Sequence, residues 1–150
     1  MARAIQLSLD NVLSGKGGPF GAVIVKDGSI VAEGVNRVAS SNDPTAHAEV
    51  VAIREACSKL GSFELKDCEL YTSCEPCPMC LGAIYLARVS RIFFGNLAAD
   101  AARIGFDDAF LYRELAQPHS GRAIPMIQIM REQALAAFRA WEALPNKVPY

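Results

Sequence analysis

Hydrophobic residues follow two spacings along the chain, one typical of helices and one typical of strands. A helical spacing opens the chain between Ala4 and Leu13 and ends at a glycine-rich stretch. Helical spacing returns at 46–60, 76–88 and 132–144, and in pieces between 97 and 117. Apolar and β-branched runs predict strands at 20–26, 30–35, 68–73, 91–95 and 125–130. The pattern therefore predicts five strands interspersed with helices.

The order of these elements indicates the class of fold. Asp27-Gly28, between the first two predicted strands, is a strong signal for the tight turn of a hairpin. The later strands alternate with helices, which favours a sheet that is mostly parallel beyond the first strand and covered on both faces. We therefore expect one α/β domain over residues 1–150, a three-layer α/β/α sandwich with a five-stranded mixed sheet. Pro145 and Pro149 prevent the last helix from continuing into the tail.

Composition and charge narrow the classes of function. The chain has 150 residues, 51% of them hydrophobic, as in an ordinary globular domain. Its 15 Lys and Arg residues balance 16 Asp and Glu residues without charged runs, so long nucleic acid is not an expected partner. The apolar runs are too short to cross a membrane, and the first residues do not resemble a secretory signal. We expect a cytoplasmic protein.

A histidine and two cysteines carry the strongest chemical signal. Cys77 follows His47 by thirty residues, and Cys80 lies one helical turn later. Imidazole and thiolate are common zinc ligands, and side chains three residues apart on a helix project to the same side. Thr45 is the predicted cap of one helix and Pro76 the predicted start of another, so the three ligands lie at helix N-termini that favour thiolates. The spacing predicts a zinc site.

Glu49 gives this predicted metal site a catalytic interpretation. Three protein ligands leave the fourth zinc position open for a water, whose pKa falls to about 7 when zinc polarises it. Glu49 is two residues from His47 and therefore points in a different direction on the helix. We predict that Glu49 faces the bound water and acts as the general acid and base.

Cys74 supports an alternative interpretation in which the metal is purely structural. Together with His47, Cys77 and Cys80 it could close a four-ligand zinc site, or the cysteines could bind an iron–sulfur cluster. Because Cys74 precedes Pro76 at a predicted strand end, it need not share the helical face of the other two cysteines. We expect Cys74 to be a small buried apolar side chain.

The combination of His-x-Glu with Pro-Cys-x-x-Cys resembles the signature of the zinc deaminases. The chain resembles the cytidine deaminase superfamily, and within it the bacterial guanine deaminases, over nearly its whole length. Two of the similar segments, 41–49 and 71–80, also resemble those of tRNA adenosine deaminases. Gly105-Phe-Asp-Asp108 and the terminal Tyr150 favour the guanine deaminases. The segment from Gly17 to Val25 completes the match.

The resemblance implies further roles for residues that composition and spacing leave ambiguous. It implies a cytidine deaminase-like fold, one zinc ion per subunit, and Asp108 as a second proton carrier beside Glu49. It also implies that the tail at 145–150 covers the pocket and is exchanged between the subunits of a homodimer. The residues implied to contact a small purine base are Asn36, Phe20, Ala48 through its backbone N–H, and Tyr150.

The resemblance implies hydrolysis of guanine to xanthine and ammonia in purine salvage or catabolism. Adenosine in tRNA, guanosine, cytosine derivatives and amino-triazines stay open as substrates, because spacing does not give the size of the pocket. A zinc-stabilised binding module without catalytic activity is the alternative from another class of protein.

Overall fold

The structure is a computed structural model that describes residues 1–149. These residues fall into two compact units, one from Met1 to Phe110 and one from Leu111 onward. The described elements are, in chain order, α1 (Ala2–Leu13), β1 (Gly21–Lys26), β2 (Ser29–Val35), α2 (Val38–Ser41), α3 (Ala48–Leu60), β3 (Cys68–Cys74), α4 (Pro78–Leu86), β4 (Arg91–Asn96), α5 (Ala98–Arg103), α6 (Ala109–Ala116), a single 3₁₀ turn (His119–Gly121) and α7 (Arg131–Ala143).

The sheet has the strand order β2-β1-β3-β4. The strand β1 is antiparallel to both of its neighbours, whereas β3 and β4 are parallel, so three strands point one way and β1 points the other. Asp27 and Gly28 have φ values of 50° and 75°, as the tight hairpin turn requires. The predicted mixed sheet and its hairpin are confirmed.

The predicted fifth strand at 125–130 is wrong. In residues 1–149 the sheet has four strands, and 125–130 forms no ladder with any of them. The segment has the amino-acid composition of a strand, but a strand forms only where a neighbouring strand pairs with its backbone N–H and C=O groups. Met130 has a φ of 52°, which ends the extended run directly before α7.

Helices cover both faces of the sheet. A Cβ built at Gly21 would meet the Ala4 carbonyl of α1 at 2.4 Å, so β1 lies directly against α1 there. A Cβ at Gly34 of β2 would lie 2.1 Å from the Ala48 carbonyl of α3. Gly34 pairs with Ala22, the residue after Gly21. Because successive residues of a strand point to opposite faces, α1 and α3 lie on opposite sides.

The main core lies between the sheet and the helices α3 and α4. Small side chains from α3 allow it to approach the sheet closely, and larger ones such as Ile24, Leu70 and Ile84 fill the space between the elements. Leu70 on the central strand β3 is completely buried.

Two helices begin two residues later than predicted. Thr45 does not cap α3, because its hydroxyl donates to the Asp43 carboxylate at 2.6 Å. His47 is the cap residue of α3, and Cys77 is the cap residue of α4, with Pro78 rather than Pro76 in the first helical position. Both predicted metal ligands at these caps therefore have extended backbones just outside a helix.

The unit from Leu111 onward, taken by itself, has little buried surface. Its longest element is α7, and none of the described residues in this unit is classed as buried. Phe138 and Trp141 of α7 are 69% and 42% exposed. Within residues 1–149, we find no helix with the length and apolar character that crossing a membrane requires.

Candidate active site

The described residues contain one group of side chains suited to a metal ion, formed by His47, Cys77 and Cys80. Their three ligand atoms lie within 4.8 Å of one another. Nδ1 of His47 is 3.6 Å from Sγ of Cys77 and 3.5 Å from Sγ of Cys80. In tetrahedral zinc, with bonds of about 2.3 Å to sulfur and about 2.0–2.1 Å to nitrogen, such atoms are about 3.6 Å apart. The donor atoms and their spacing therefore fit zinc.

The three side chains reach one point because α3 and α4 begin next to each other. His47 caps α3, Cys77 caps α4, and Cys80 lies in the first turn of α4. Cys80 is fully buried, whereas His47 is only half-buried. The positive ends of two helix dipoles meet at this point, which favours the thiolate form of a cysteine.

The ionisation of these side chains agrees with a metal-binding role. A hydrogen bond from the Cys80 thiol, followed by one from His47, lowers the pKa of Cys77 to about 4. The pKa of Cys80 is raised, first by the hydrogen bond between its thiol and Cys77 and then by burial. The hydrogen bond to Cys77 raises the pKa of His47. A divalent cation would replace these shared protons as the compensating positive charge.

Glu49 lies beside the three ligands and is almost completely buried, with 6% of its surface exposed. One carboxylate oxygen, Oε2, lies 3.5 Å from Sγ of Cys80. The other, Oε1, accepts a hydrogen bond of 3.1 Å from the Thr72 hydroxyl. Burial raises the pKa of Glu49. A buried carboxyl with a raised pKa next to a metal site is suited to accept and return protons.

Asp108 is partly buried at the start of α6. Burial raises its pKa first, and the negative charge of Cys77 raises it further, while His47 lowers it. Asp108 is therefore within electrostatic reach of two metal ligands. Its neighbour Asp107 accepts a 2.8 Å hydrogen bond from the N–H of Ala109, the first residue of α6.

The predicted base-contacting residues lie around α3 and the end of β2. Asn36 is buried, and its side-chain oxygen accepts a 3.4 Å hydrogen bond from the Val38 N–H. Ala48 is the first residue of α3, so its N–H belongs to the group that a helix leaves without an intrahelical acceptor. Phe20 contacts Phe106 edge to face with 4.9 Å between ring centroids. Tyr150, the remaining predicted contact, lies outside the described residues.

Asn11 is a site residue that the sequence did not reveal. Its buried amide donates two 2.9 Å hydrogen bonds, to the backbone carbonyls of Gly18 and Asn36. Asn11 thus ties α1 to the loop before Phe20 and to the predicted base-binding Asn36. In the sequence, Asn11 is a polar residue within an apolar helical pattern. That pattern does not indicate burial, because an asparagine on a helix is more often exposed.

Cys74 does not join the metal-binding group of the described residues. Its Sγ lies 3.8 Å from the Leu97 carbonyl oxygen, and burial raises its pKa to about 11. The alternative of a closed site with four protein ligands is therefore wrong, and Cys74 is the small buried side chain that its position predicted.

Comparison with known proteins agrees with this geometry. Residues 1–96 match the model of the cytidine and deoxycytidylate deaminase zinc-binding region. The chain is 56% identical to the guanine deaminase of Bacillus subtilis, over 100% of this chain and 96% of the relative. It is 48% identical to the tRNA-specific adenosine deaminase of Aquifex aeolicus, over 53% of this chain and 52% of that relative.

Solved structures give the same result. The crystal structure of the Bacillus subtilis guanine deaminase superimposes with a TM-score of 0.96, covering 99% of this chain and 95% of that one. The guanine deaminase of Nitrosomonas europaea, 30% identical, superimposes with a TM-score of 0.69 over 95% of this chain and 82% of that one. The chain therefore has the cytidine deaminase-like fold and belongs to the guanine deaminase family of zinc-dependent deaminases.

Proposed function

We propose that the protein hydrolyses guanine to xanthine and ammonia, in purine salvage or catabolism. The observation that carries the proposal is the meeting of His47, Cys77 and Cys80 with the buried carboxyl of Glu49. The choice of guanine is supported by similarity to a guanine deaminase along the whole chain, whereas similarity to a tRNA-specific adenosine deaminase covers 53% of it.

His47, Cys77 and Cys80 would hold one zinc ion per chain. When bound, zinc supplies a Lewis acid that makes a water reactive at neutral pH by lowering its pKa to about 7. The half-buried His47 lies on the side of the site from which a substrate can approach. The two cysteines, which are more deeply buried, would anchor the ion in the protein.

Glu49 would move the first proton. It takes a proton from the attacking water and passes it to a ring nitrogen of guanine, while the water oxygen forms a bond to C2. The raised pKa of Glu49 makes the carboxylate a stronger base for this transfer. Oε2 is the oxygen on the side of the metal ligands and is therefore the one that would carry the proton.

Asp108 would act in the second half of the reaction. The remaining proton of the attacking oxygen passes to Glu49 as the C2 carbonyl forms, and Asp108, together with Glu49, delivers a proton to the departing nitrogen as its bond to C2 breaks. Ammonia leaves and xanthine remains. The raised pKa of Asp108 supports this role, since a carboxyl must be protonated to act as an acid.

Residues around the site would bind the purine. Asn36 would hydrogen-bond the base, the Ala48 N–H would contact it, and Phe20 would line or stack on the pocket. The contact between Phe20 and Phe106 supports a rigid aromatic wall, because each ring limits the motion of the other. Tyr150 and the tail at 145–150 would close the pocket.

We also propose a homodimer in which the C-terminal segment is exchanged between subunits. Large apolar side chains of this segment, among them Ile127, Phe138 and Trp141, are exposed in the single chain. Exposed apolar surface of this extent is typical of a surface that binds another protein. A second copy of the chain is the proposed partner, because it is always present at the same concentration as the first copy.

A cytoplasmic location is supported by the cysteines. All five are free thiols in the structure, and free thiols persist in the reducing environment of the cytoplasm.

Ammonia release from guanine, guanosine, adenosine, cytidine and cytosine tests the substrate. We expect turnover of guanine by the zinc-loaded protein, and none by the same protein after zinc removal. Turnover of another base instead would retain the metal chemistry and contradict the proposed pocket. Absence of turnover with all five compounds would contradict the proposed enzymatic function.

A further inference from the structure

The two carboxylate oxygens of Glu49 have different surroundings. Oε2 lies 3.5 Å from Sγ of Cys80, on the side of the metal ligands. Oε1 points away from the ligands and accepts a 3.1 Å hydrogen bond from Oγ1 of Thr72. Both residues are buried, with 6% of Glu49 and 1% of Thr72 exposed, so water does not compete freely for this contact.

Thr72 is held rigidly in the fold. It lies in the central strand β3, paired with Ala22 of β1 on one side and with Phe94 of β4 on the other. Because Ala22 and Thr72 are directly opposite, their side chains project to the same face, toward α3. A threonine side chain has a single rotatable carbon–carbon bond, so its hydroxyl has few alternative positions.

We propose that Thr72 is a positioning residue, whose hydroxyl holds Oε1 of Glu49 so that Oε2 faces the metal ligands and the reacting water. This inference rests on the proposed proton-transfer role of Glu49. The glutamate side chain has three rotatable bonds, and the Thr72 hydroxyl fixes the outermost one. Misplacement of a reacting group by about 1 Å can cost roughly 100-fold in rate, so this one hydrogen bond has a measurable consequence.

Thr72→Val removes the hydroxyl and keeps the shape of the side chain. We expect kcat for guanine to fall by about 10- to 100-fold, with KM within about twofold and one zinc ion per chain. Thr72→Ser restores the hydroxyl and is expected to keep kcat within about threefold of the original, although it lacks the methyl group. A role in packing alone would give the opposite ranking of these two variants.

Ser90→Ala is the matched control. Ser90 donates a 2.7 Å hydrogen bond to the Cys68 carbonyl, at the end of β3 opposite to Thr72. Its loss removes an exposed hydroxyl that bonds to the backbone of β3 without touching the site, so kcat is expected to stay unchanged. If Thr72→Val does not fold, Thr72→Ala replaces it, and a normal kcat in that variant overturns the proposal.

A double-mutant cycle with Glu49→Gln separates this inference from the proposed function. We expect Glu49→Gln to be nearly inactive and Thr72→Val to reduce its kcat no further. An additive loss of kcat, or a normal kcat in Thr72→Val, overturns the positioning role. Normal activity of Glu49→Gln contradicts the proposed function itself.

Discussion

Residues 1–110 and the segment from Leu111 onward differ in what their apolar side chains do. In the first unit Leu70 and Ile24 are completely buried, and the residues of the candidate active site surround the edge of that core. In the second unit Phe138 and Ile127 are 69% and 80% exposed. The first unit therefore has its own hydrophobic core, whereas the second needs a surface to pack on. We propose that the chemistry depends on the first unit and assembly on the second, and the following predictions test that separation.

Replacing Asp108 is expected to have the largest effect after the loss of Glu49. Asp108→Asn removes the acid proposed to protonate the departing amine, so kcat for guanine should fall by about 10²- to 10⁴-fold. The adjacent Asp107→Asn is the control, because asparagine can also accept the hydrogen bond from the Ala109 N–H. Steady-state kinetics of both variants check this, and equal activity of the two would contradict the role of Asp108.

Removing a core side chain from the first unit is expected to have the next largest effect. Leu70→Ala leaves a cavity at a fully buried position of β3 and should lower the free energy of unfolding by about 2–5 kcal/mol. Urea unfolding measures this change. A loss below about 1 kcal/mol would show that the first unit is not the stable core of the molecule.

A charge in the second unit should change assembly instead. Phe138→Glu places a carboxylate on an exposed apolar position of α7 and is expected to shift the protein from the proposed dimer to monomer. Gln133→Glu adds the same charge to the same helix at a polar position and should leave the dimer intact. Sedimentation equilibrium distinguishes them, and an unchanged dimer in Phe138→Glu would contradict the exchange of this segment.

Replacing Cys74 should have a small effect. Cys74→Ser is expected to keep one zinc ion per chain, because Cys74 does not belong to the metal-binding group of the described residues. Its free energy of unfolding should fall by about 1 kcal/mol, since a hydroxyl replaces a buried thiol. Zinc analysis and urea unfolding measure these two quantities. A loss of zinc would instead support a closed site with Cys74 as the fourth ligand.

The ion pair between Arg3 and Glu33 gives the smallest effect, and that effect depends on pH. Two hydrogen bonds of 2.7 Å from Arg3 lower the pKa of Glu33 below its ordinary value of 4.5. A carboxylate with a lowered folded-state pKa stabilises the fold above pH 4.5, and this stabilisation is lost as the pH falls below it. The stability difference between the original protein and Arg3→Gln should therefore disappear in acid.

Local signals predicted much of the fold and the metal site. Apolar spacing identified α1 and the β1–β2 hairpin because these elements depend on residues close in sequence. His47, Cys77 and Cys80 were found because zinc ligands leave a recognisable spacing. The predicted strand at 125–130 is wrong, because a strand also needs a neighbour, and the composition of a segment does not specify one.

Contacts between distant residues could not be predicted from the sequence. Thr72 reaches Glu49 across 23 positions, and Asn11 reaches the Asn36 carbonyl across 25. Threonine in a strand and asparagine in a helix are common, so neither residue type indicates a partner. Only the pairing of β3 with its neighbours and the packing of α3 on the sheet bring Thr72 to Glu49.

The central claim is that the first unit carries out zinc-dependent deamination through Glu49. Steady-state turnover of guanine by Glu49→Gln, measured together with its zinc content, tests this claim most directly. We predict one zinc ion per chain, as in the original protein, and a kcat at least about 10²-fold lower. A kcat close to that of the original protein, with zinc retained, would contradict the account.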